Sequence, residues 1–274
     1  MSKRNWKIAS VAGAGVVALS GILATTVSAQ PATPAAAVAD HHQPKPTVVL
    51  IHGAFADASS WSAEVGQLEH DGYPVIAPAV PLRGVASDSA YVASVVRNIS
   101  GPVILVGHSY GGEIATEVAA CDPQQVKAIV YAAAFIPQAG ESAAQLVGQF
   151  PGSLLGPDTS YTVNIPGGGT DLYIKNADFR EVFAGDRTPQ QAQVAAATQR
   201  PFEVAALNEP VAASVPAGIP LYEIVASQDR AIPPAAEKFM AQRAGATIYT
   251  VNSAHDIPVS HPQAIVSVIE HAAH

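Results

Sequence analysis

The 274-residue chain can bury a substantial core, and with 49% hydrophobic and only 13% charged residues it reads as a folded globular protein and not a disordered one. Its formal net charge is −8, and beyond the basic residues of the first seven positions no cluster of lysines and arginines remains to bind a phosphate backbone, so nucleic acid is not an expected partner. A single cysteine, Cys121, excludes an intramolecular disulfide, and stability has to come from the core.

In chain order, the first 29 residues open with Lys3, Arg4 and Lys7 and continue as an apolar Ala/Gly/Val run from Ile8 to about Leu23. This is the pattern of a signal peptide, and Val27-Ser28-Ala29 offers the small residues that favour cleavage before Gln30. An exported, secreted or cell-envelope protein is expected; an uncleaved leader would make this segment a membrane anchor, the chain's only expected contact with a membrane. The Ser2-Lys3-Arg4 opening resembles a twin-arginine signal with one arginine replaced by lysine, which leaves the export route open. Gly13 and Gly15 imitate part of a dinucleotide fingerprint but follow no strand. Residues 30–45 are Ala/Pro-rich and read as a flexible linker; the His41-His42 pair within them lacks the further ligands that a closed metal site needs.

From residue 46 short apolar runs alternate with helical segments. Strands are predicted at 47–51, 74–77, 102–106 and 126–131, with helices at 60–70, 87–98 and 111–120 between them. Continuous Val/Ile/Leu runs point to strands buried on both faces, hence a mostly parallel, doubly wound α/β sheet covered by helices. The rhythm breaks between about 137 and 216, where Gly, Pro, Gln and Ala dominate, and this stretch is expected to be a cap inserted into the sheet fold. Alternation resumes with a strand at 221–226, a helix at 234–243, a strand at 247–251 and a closing helix at 263–271. The 46–274 region is thus read as one domain with its insertion.

Gly107-His108-Ser109-Tyr110-Gly111 matches the G-x-S-x-G nucleophile elbow, and it lies at the end of a predicted strand and the start of a predicted helix, the context the motif requires. Such a turn exposes the serine at the carboxyl edge of the sheet, beside a helix N-terminus that favours developing negative charge. Asp229 follows another strand directly, where functional groups of open α/β sheets gather, and His255 follows the last strand. The order Ser, acid, His is that of the α/β-hydrolases. His261, before Pro262, is the rival base, expected instead to cap or pack at the final helix; Asp122 reads as a helix-boundary residue and His108 as structural. After the first strand, Leu50-Ile51-His52-Gly53-Ala54-Phe55 is the candidate oxyanion turn, with the backbone N–H of Ala54 and of Tyr110 as donors. Phe55, His108, Tyr161 and Tyr173 are candidate pocket residues; Tyr161 and Tyr173, like Phe150, Phe179 and Phe183, either line the pocket or form the cap's own core. With no P-loop, H-E-x-x-H or paired-cysteine pattern, neither a metal nor a cofactor is expected.

These segments, with Ala56-Asp57-Ala58-Ser59-Ser60-Trp61 and Ala231-Ile232-Pro233-Pro234, resemble α/β-hydrolases related to plant methyl esterases and hydroxynitrile lyases and to their bacterial esterase-like relatives. The resemblance runs over essentially the whole chain after Lys45. It implies a serine esterase acting on a small-molecule ester, with Ser109, Asp229 and His255 as triad and Ala54 and Tyr110 in the oxyanion hole. The cyanohydrin-cleaving lyases carry a lysine beside the histidine and a threonine after the first-strand histidine; Asp256 and Gly53 stand there. An acidic residue opposes departing cyanide, which disfavours lyase chemistry. C–C lysis, perhydrolysis and non-catalytic binding of a small ligand remain the competing readings. Oligomeric state is not legible.

Overall fold

The sequence alternation becomes a six-stranded sheet in the computed structural model, which describes residues 44–274. The expectations for the leader, its cleavage point and His41-His42 lie outside the described residues. The first strand, β1 (Thr47–Ile51), is buried along its whole length. It leads through a 3₁₀ turn (Ala58–Trp61) into α1 (Ser62–His70), then β2 (Val75–Ile76), α2 (Val85–Val96), β3 (Val103–His108), α3 (Gly111–Cys121) and β4 (Val126–Ala132). After the intervening stretch come β8 (Leu221–Ala226), α8 (Pro234–Ala244), β9 (Thr247–Val251), the short α9 (Ile257–Ser260) and α10 (Pro262–Ala272). Strand order is β2-β1-β3-β4-β8-β9, every pair parallel, so β4 and β8 are neighbours although almost ninety positions separate them.

Parallel pairing explains the unbroken apolar runs. Val49, Ile51, Val103 and Leu105 face one hydrophobic layer with α2 and α3, while Val48, Leu50, Ile104 and Val106 face the other with α1 and α10. Each such side chain contributes about 1.5 to 3 kcal/mol on burial. The third strand runs two residues beyond the expected 102–106, through Gly107 and His108, so that the turn at Ser109 starts without a spacer.

Between β4 and β8 the chain builds α4 (Ala143–Gly148), β5 (Ser160–Asn164), β6 (Thr170–Ile174), α5 (Phe179–Val182), α6 (Pro189–Thr198), β7 (Phe202–Glu203) and α7 (Val204–Asn208). The sequence pattern left this stretch without assigned elements; β5, β6 and β7 form a small antiparallel sheet of their own. Carboxylates fasten this cap to the sheet layer. Glu209 accepts from the backbone N–H of Val85 and Ala86 at 2.7 and 3.0 Å, serving as N-cap for α2, whose own cap position is the side-chain-free Gly84. Glu141 and Arg243 form a two-pronged ion pair, both contacts 2.6 Å. Among the described residues no helix is long and apolar enough to cross a bilayer, and no group of three or more His, Cys, Asp or Glu is placed to hold a metal.

Candidate active site

Ser109 holds a left-handed backbone conformation, φ +53°, between β3 and α3. A non-glycine residue there is strained, and the surroundings keep it in place: the Ser109 carbonyl accepts from the N–H groups of Gly112 and Phe135 at 2.9 and 3.2 Å. The tight turn leaves no room beside it. A Cβ at Gly107 would stand 2.5 Å from the Gly111 carbonyl oxygen, and one at Gly111 would stand 2.3 Å from the Ile51 carbonyl oxygen. The glycines of the motif are therefore demanded by neighbouring backbone.

Three side chains from three strand ends meet in series. The Ser109 hydroxyl lies 2.9 Å from His255 Nε2, and His255 Nδ1 lies 2.5 Å from Asp229 Oδ2. The other Asp229 oxygen accepts from the backbone N–H groups of Ala231 and Ile232 at 2.7 and 2.8 Å, which fixes the carboxylate's orientation and satisfies it electrostatically. All three residues are buried. With Asp229 as acceptor, His255 carries its proton on Nδ1 and turns a free lone pair on Nε2 toward the serine hydroxyl.

The Ala54 and Tyr110 N–H groups have no backbone or side-chain acceptor among the described residues. His52 orients the first of them. Its Nε2 accepts from the Val80 N–H at 3.0 Å, so the proton sits on Nδ1, which donates to the Gly53 carbonyl at 2.9 Å. That carbonyl and the Ala54 N–H belong to one rigid peptide plane. Burial lowers the His52 pKa to about 4, opposed by its bond to Gly53, and the ring stays neutral at pH 7. A Cβ at Gly53 would stand 2.7 Å from the Ser109 Cβ, so the threonine of the lyases has no space here without movement. On the other side, the Tyr110 hydroxyl donates to the buried Asp88 at 2.9 Å, and the Asp88 carboxylate also accepts from the Arg83 N–H. Burial raises the Asp88 pKa, these bonds opposing it.

Ser109 and His255 open into a cavity of about 580 Å³ whose lining includes Phe55, Tyr110, Phe135, Leu172, Phe183 and Phe202 together with Ala143 and Val147 of α4. Among the described residues no Asp, Glu, Lys or Arg side chain lines it. Of the expected pocket residues, Phe55 lines the cavity and Tyr161 stands at its wall, 44% exposed. Tyr173 does not: it stacks on the Tyr161 ring across the β5–β6 pair, because a strand's neighbouring partner is reached sideways along the sheet and not through it. Nor does His108, which is wholly buried behind the site and donates from Nε2 to the His255 carbonyl at 2.9 Å. Burial, with the His255 ring adding to it, holds its pKa well below the usual histidine range. Of the other aromatic residues with both places open to them, Phe183 lines the cavity, Phe150 packs on Phe239 and Phe179 on Phe183. Phe135, Leu172 and Phe202 were missed, and only the cap's packing reveals them.

His261 stands at the N-cap position of α10 but makes no side-chain cap; its ring meets Ser260 and lies 3.6 Å from Asp186. It is remote in role from Ser109, which bonds His255 instead. Asp122 ends α3, a helix boundary as read. Asp256, next to His255, is paired with Arg187 at 2.7 Å; burial raises its pKa to about 6 against the pull of Arg187.

A family model described as "Alpha/beta hydrolase family" matches residues 48–268. The chain belongs to this family. The α/β-hydrolase fold expected from the strand and helix rhythm is borne out, as is the resemblance stated from the motifs. A carbendazim hydrolysing esterase from Nocardioides sp. (strain SG-4G) is 30% identical over 106 residues, 34% of this chain and 44% of that protein. The matched segments span between 35% and 51% of the curated relatives' lengths. Among solved structures, a pyrethroid hydrolase from Sphingobium faniae JZ-2 superposes on this hydrolase-family chain with a TM-score of 0.68 at 22% identity, covering 83% of this chain and 97% of that one. Tomato methylketone synthase I gives a TM-score of 0.71 at 19% identity, covering 84% and 98%. These two likenesses are likenesses of fold.

Proposed function

We propose that this alpha/beta hydrolase is an exported serine esterase that cleaves uncharged carboxylic esters through an acyl-enzyme on Ser109. The observation that carries the reading is the unbroken series Ser109–His255–Asp229, with separations of 2.9 and 2.5 Å, opening into an uncharged cavity. Ser109 Oγ attacks the ester carbonyl carbon while His255 Nε2 takes its proton, and Asp229 holds the Nδ1–H tautomer and stabilises the imidazolium that forms. The carbonyl oxygen becomes an alkoxide facing the N–H groups of Ala54 and Tyr110, each such donor worth about 3 to 4 kcal/mol to the transition state. As the tetrahedral intermediate collapses, the C–O bond to the alcohol breaks and His255 returns the proton to the leaving oxygen. Water, deprotonated by the same imidazole, then repeats the sequence on the acyl-enzyme and frees the acid.

The cavity supports the substrate class. Its volume of about 580 Å³ falls within the range of sites that enclose drug-sized ligands, and its walls offer no countercharge to an ionised substrate. Neutral, apolar esters fit that chemistry. The names of the similar carbendazim hydrolysing esterase and pyrethroid hydrolase agree with a hydrolytic activity. Export rests on the leader pattern of residues 1–29 alone.

Two measurements test the reading. A fluorophosphonate should label wild-type protein at Ser109 and leave Ser109→Ala unlabelled; p-nitrophenyl butyrate hydrolysis should disappear in the same variant while its circular dichroism stays native. Wild-type protein that neither labels nor turns over any ester in a neutral panel would overturn it.

A further inference from the structure

The loop that carries His255 is gripped from the cap on both sides of the catalytic ring. The grip comes from one five-residue segment, 183–187, which follows α5. The Phe183 carbonyl accepts from the Asp256 N–H at 2.9 Å, and the Asp186 carboxylate accepts from the Ala254 N–H at 3.0 Å. The two backbone N–H groups flanking His255 are thus both held by the cap. Side chains add to it: the Ser253 hydroxyl donates to Asp186 Oδ2 at 2.9 Å, the Arg187 guanidinium pairs with Asp256 at 2.7 Å, and the Phe183 ring meets the His255 ring edge to face at 4.9 Å. The segment is itself braced, because the Arg180 guanidinium donates to the carbonyls of Gly185 and Arg187 at 3.1 and 3.0 Å.

We infer that Asp186 and Arg187 are positioning residues for His255, through which the cap holds the loop of the base. The inference rests on the serine-esterase reading above. His255 follows β9 on a loop, and loops hold a side chain less firmly than strands or helices do. From the sheet's own strand ends, Ser109 meets the ring at Nε2 and His108 holds the His255 carbonyl, while Asp229 orients the ring through a single bond to Nδ1. Rotation about that bond is checked by the bonds on either side of residue 255, and an error near 1 Å in such a group is enough to lower turnover about a hundredfold. Neither Asp186 nor Arg187 lines the cavity, so their loss leaves the binding surface as it was.

The test uses the full-length protein, p-nitrophenyl butyrate and a fluorophosphonate. Asp186→Ala should lower kcat at least tenfold with KM changed less than threefold, and should slow labelling of Ser109 while leaving its final extent complete. In Asp186→Asn the amide oxygen still accepts from Ala254 and Ser253, and kcat should return to within threefold of wild type. Arg187→Ala should act in the same direction and Arg187→Lys should recover most of the loss. A role confined to folding predicts the opposite split: a reduced final extent of labelling with an unchanged rate in the fraction that labels. That outcome, or alanine variants within twofold of wild-type kcat, or an asparagine variant as slow as alanine, overturns the inference while labelled wild-type protein leaves the esterase reading standing. Wild-type protein that fails to label removes both.

Discussion

At the scale of single residues, the site depends on polar groups that are buried in fixed protonation states. His52 is the clearest case: a neutral ring joins Val80 to Gly53 and through that peptide aims the Ala54 N–H. Its replacement by alanine should reduce kcat for a neutral ester by about 10- to 100-fold with little effect on KM, since the donor is needed chiefly in the transition state; steady-state kinetics decide it, and an unchanged kcat would remove His52 from the machinery. Glu64, on α1, is a different kind of buried group. Its residue is fully buried, both carboxyl oxygens lack a hydrogen-bond partner among the described residues, and burial, with the charge of Asp256 adding to it, raises its pKa from 4.5 to about 8. The folded protein keeps this proton where the unfolded chain releases it. Stability from Glu64 is therefore fully present below about pH 4.5 and is lost as pH rises toward 8, with a slope near 1.4 kcal/mol per unit. Urea unfolding of wild type and Glu64→Gln between pH 5 and 9 should show the variant gaining on wild type up to about pH 8 and levelling off above it, and parallel curves throughout would refute the assignment.

At the scale of elements, the cap is held by its ends as much as by its apolar face. Glu209 belongs to the cap yet caps α2, replacing the side chain that Gly84 lacks. Glu209→Ala should cost about 1 kcal/mol, the usual worth of an N-cap, and should raise amide hydrogen exchange in the first turn of α2 and in β7 together. Exchange confined to α2 would mean that the carboxylate caps the helix without tying the cap down. The elbow behaves likewise as a unit: β3 ends at His108, α3 begins at Gly111, and the two residues between them carry both the serine and one of the two unpaired N–H groups. The strained φ of Ser109 is held by bonds from Gly112 and Phe135, so strand, turn and helix position the hydroxyl jointly.

At the scale of the whole molecule, an acidic protein surrounds an uncharged cavity. The net charge is −8, and removal of Lys3, Arg4 and Lys7 with residues 1–29, which contain no acidic residue, would take it to −11. For neutral esters kcat/KM should be flat with ionic strength, whereas an anionic ester of the same shape should react slowly at low salt and faster as salt screens the repulsion. A parallel response of both substrates would mean that the field does not reach the pocket mouth. The pattern of apolar runs determined the succession of strands and helices along the chain outside the cap, and the placement of Ser109, Asp229 and His255 after predicted strands was legible because strand ends in a parallel sheet lie along one edge. What the linear pattern left undecided was everything set by contacts between distant segments. The sheet of the cap, the place of Phe202 and Phe135 in the cavity wall, the exclusion of Tyr173 and His108 from it, and the grip of Asp186 on Ala254 all depend on which faces meet. Periodicity reports which face of an element is buried; it carries no information about what that face is buried against, and only the tertiary structure decides that.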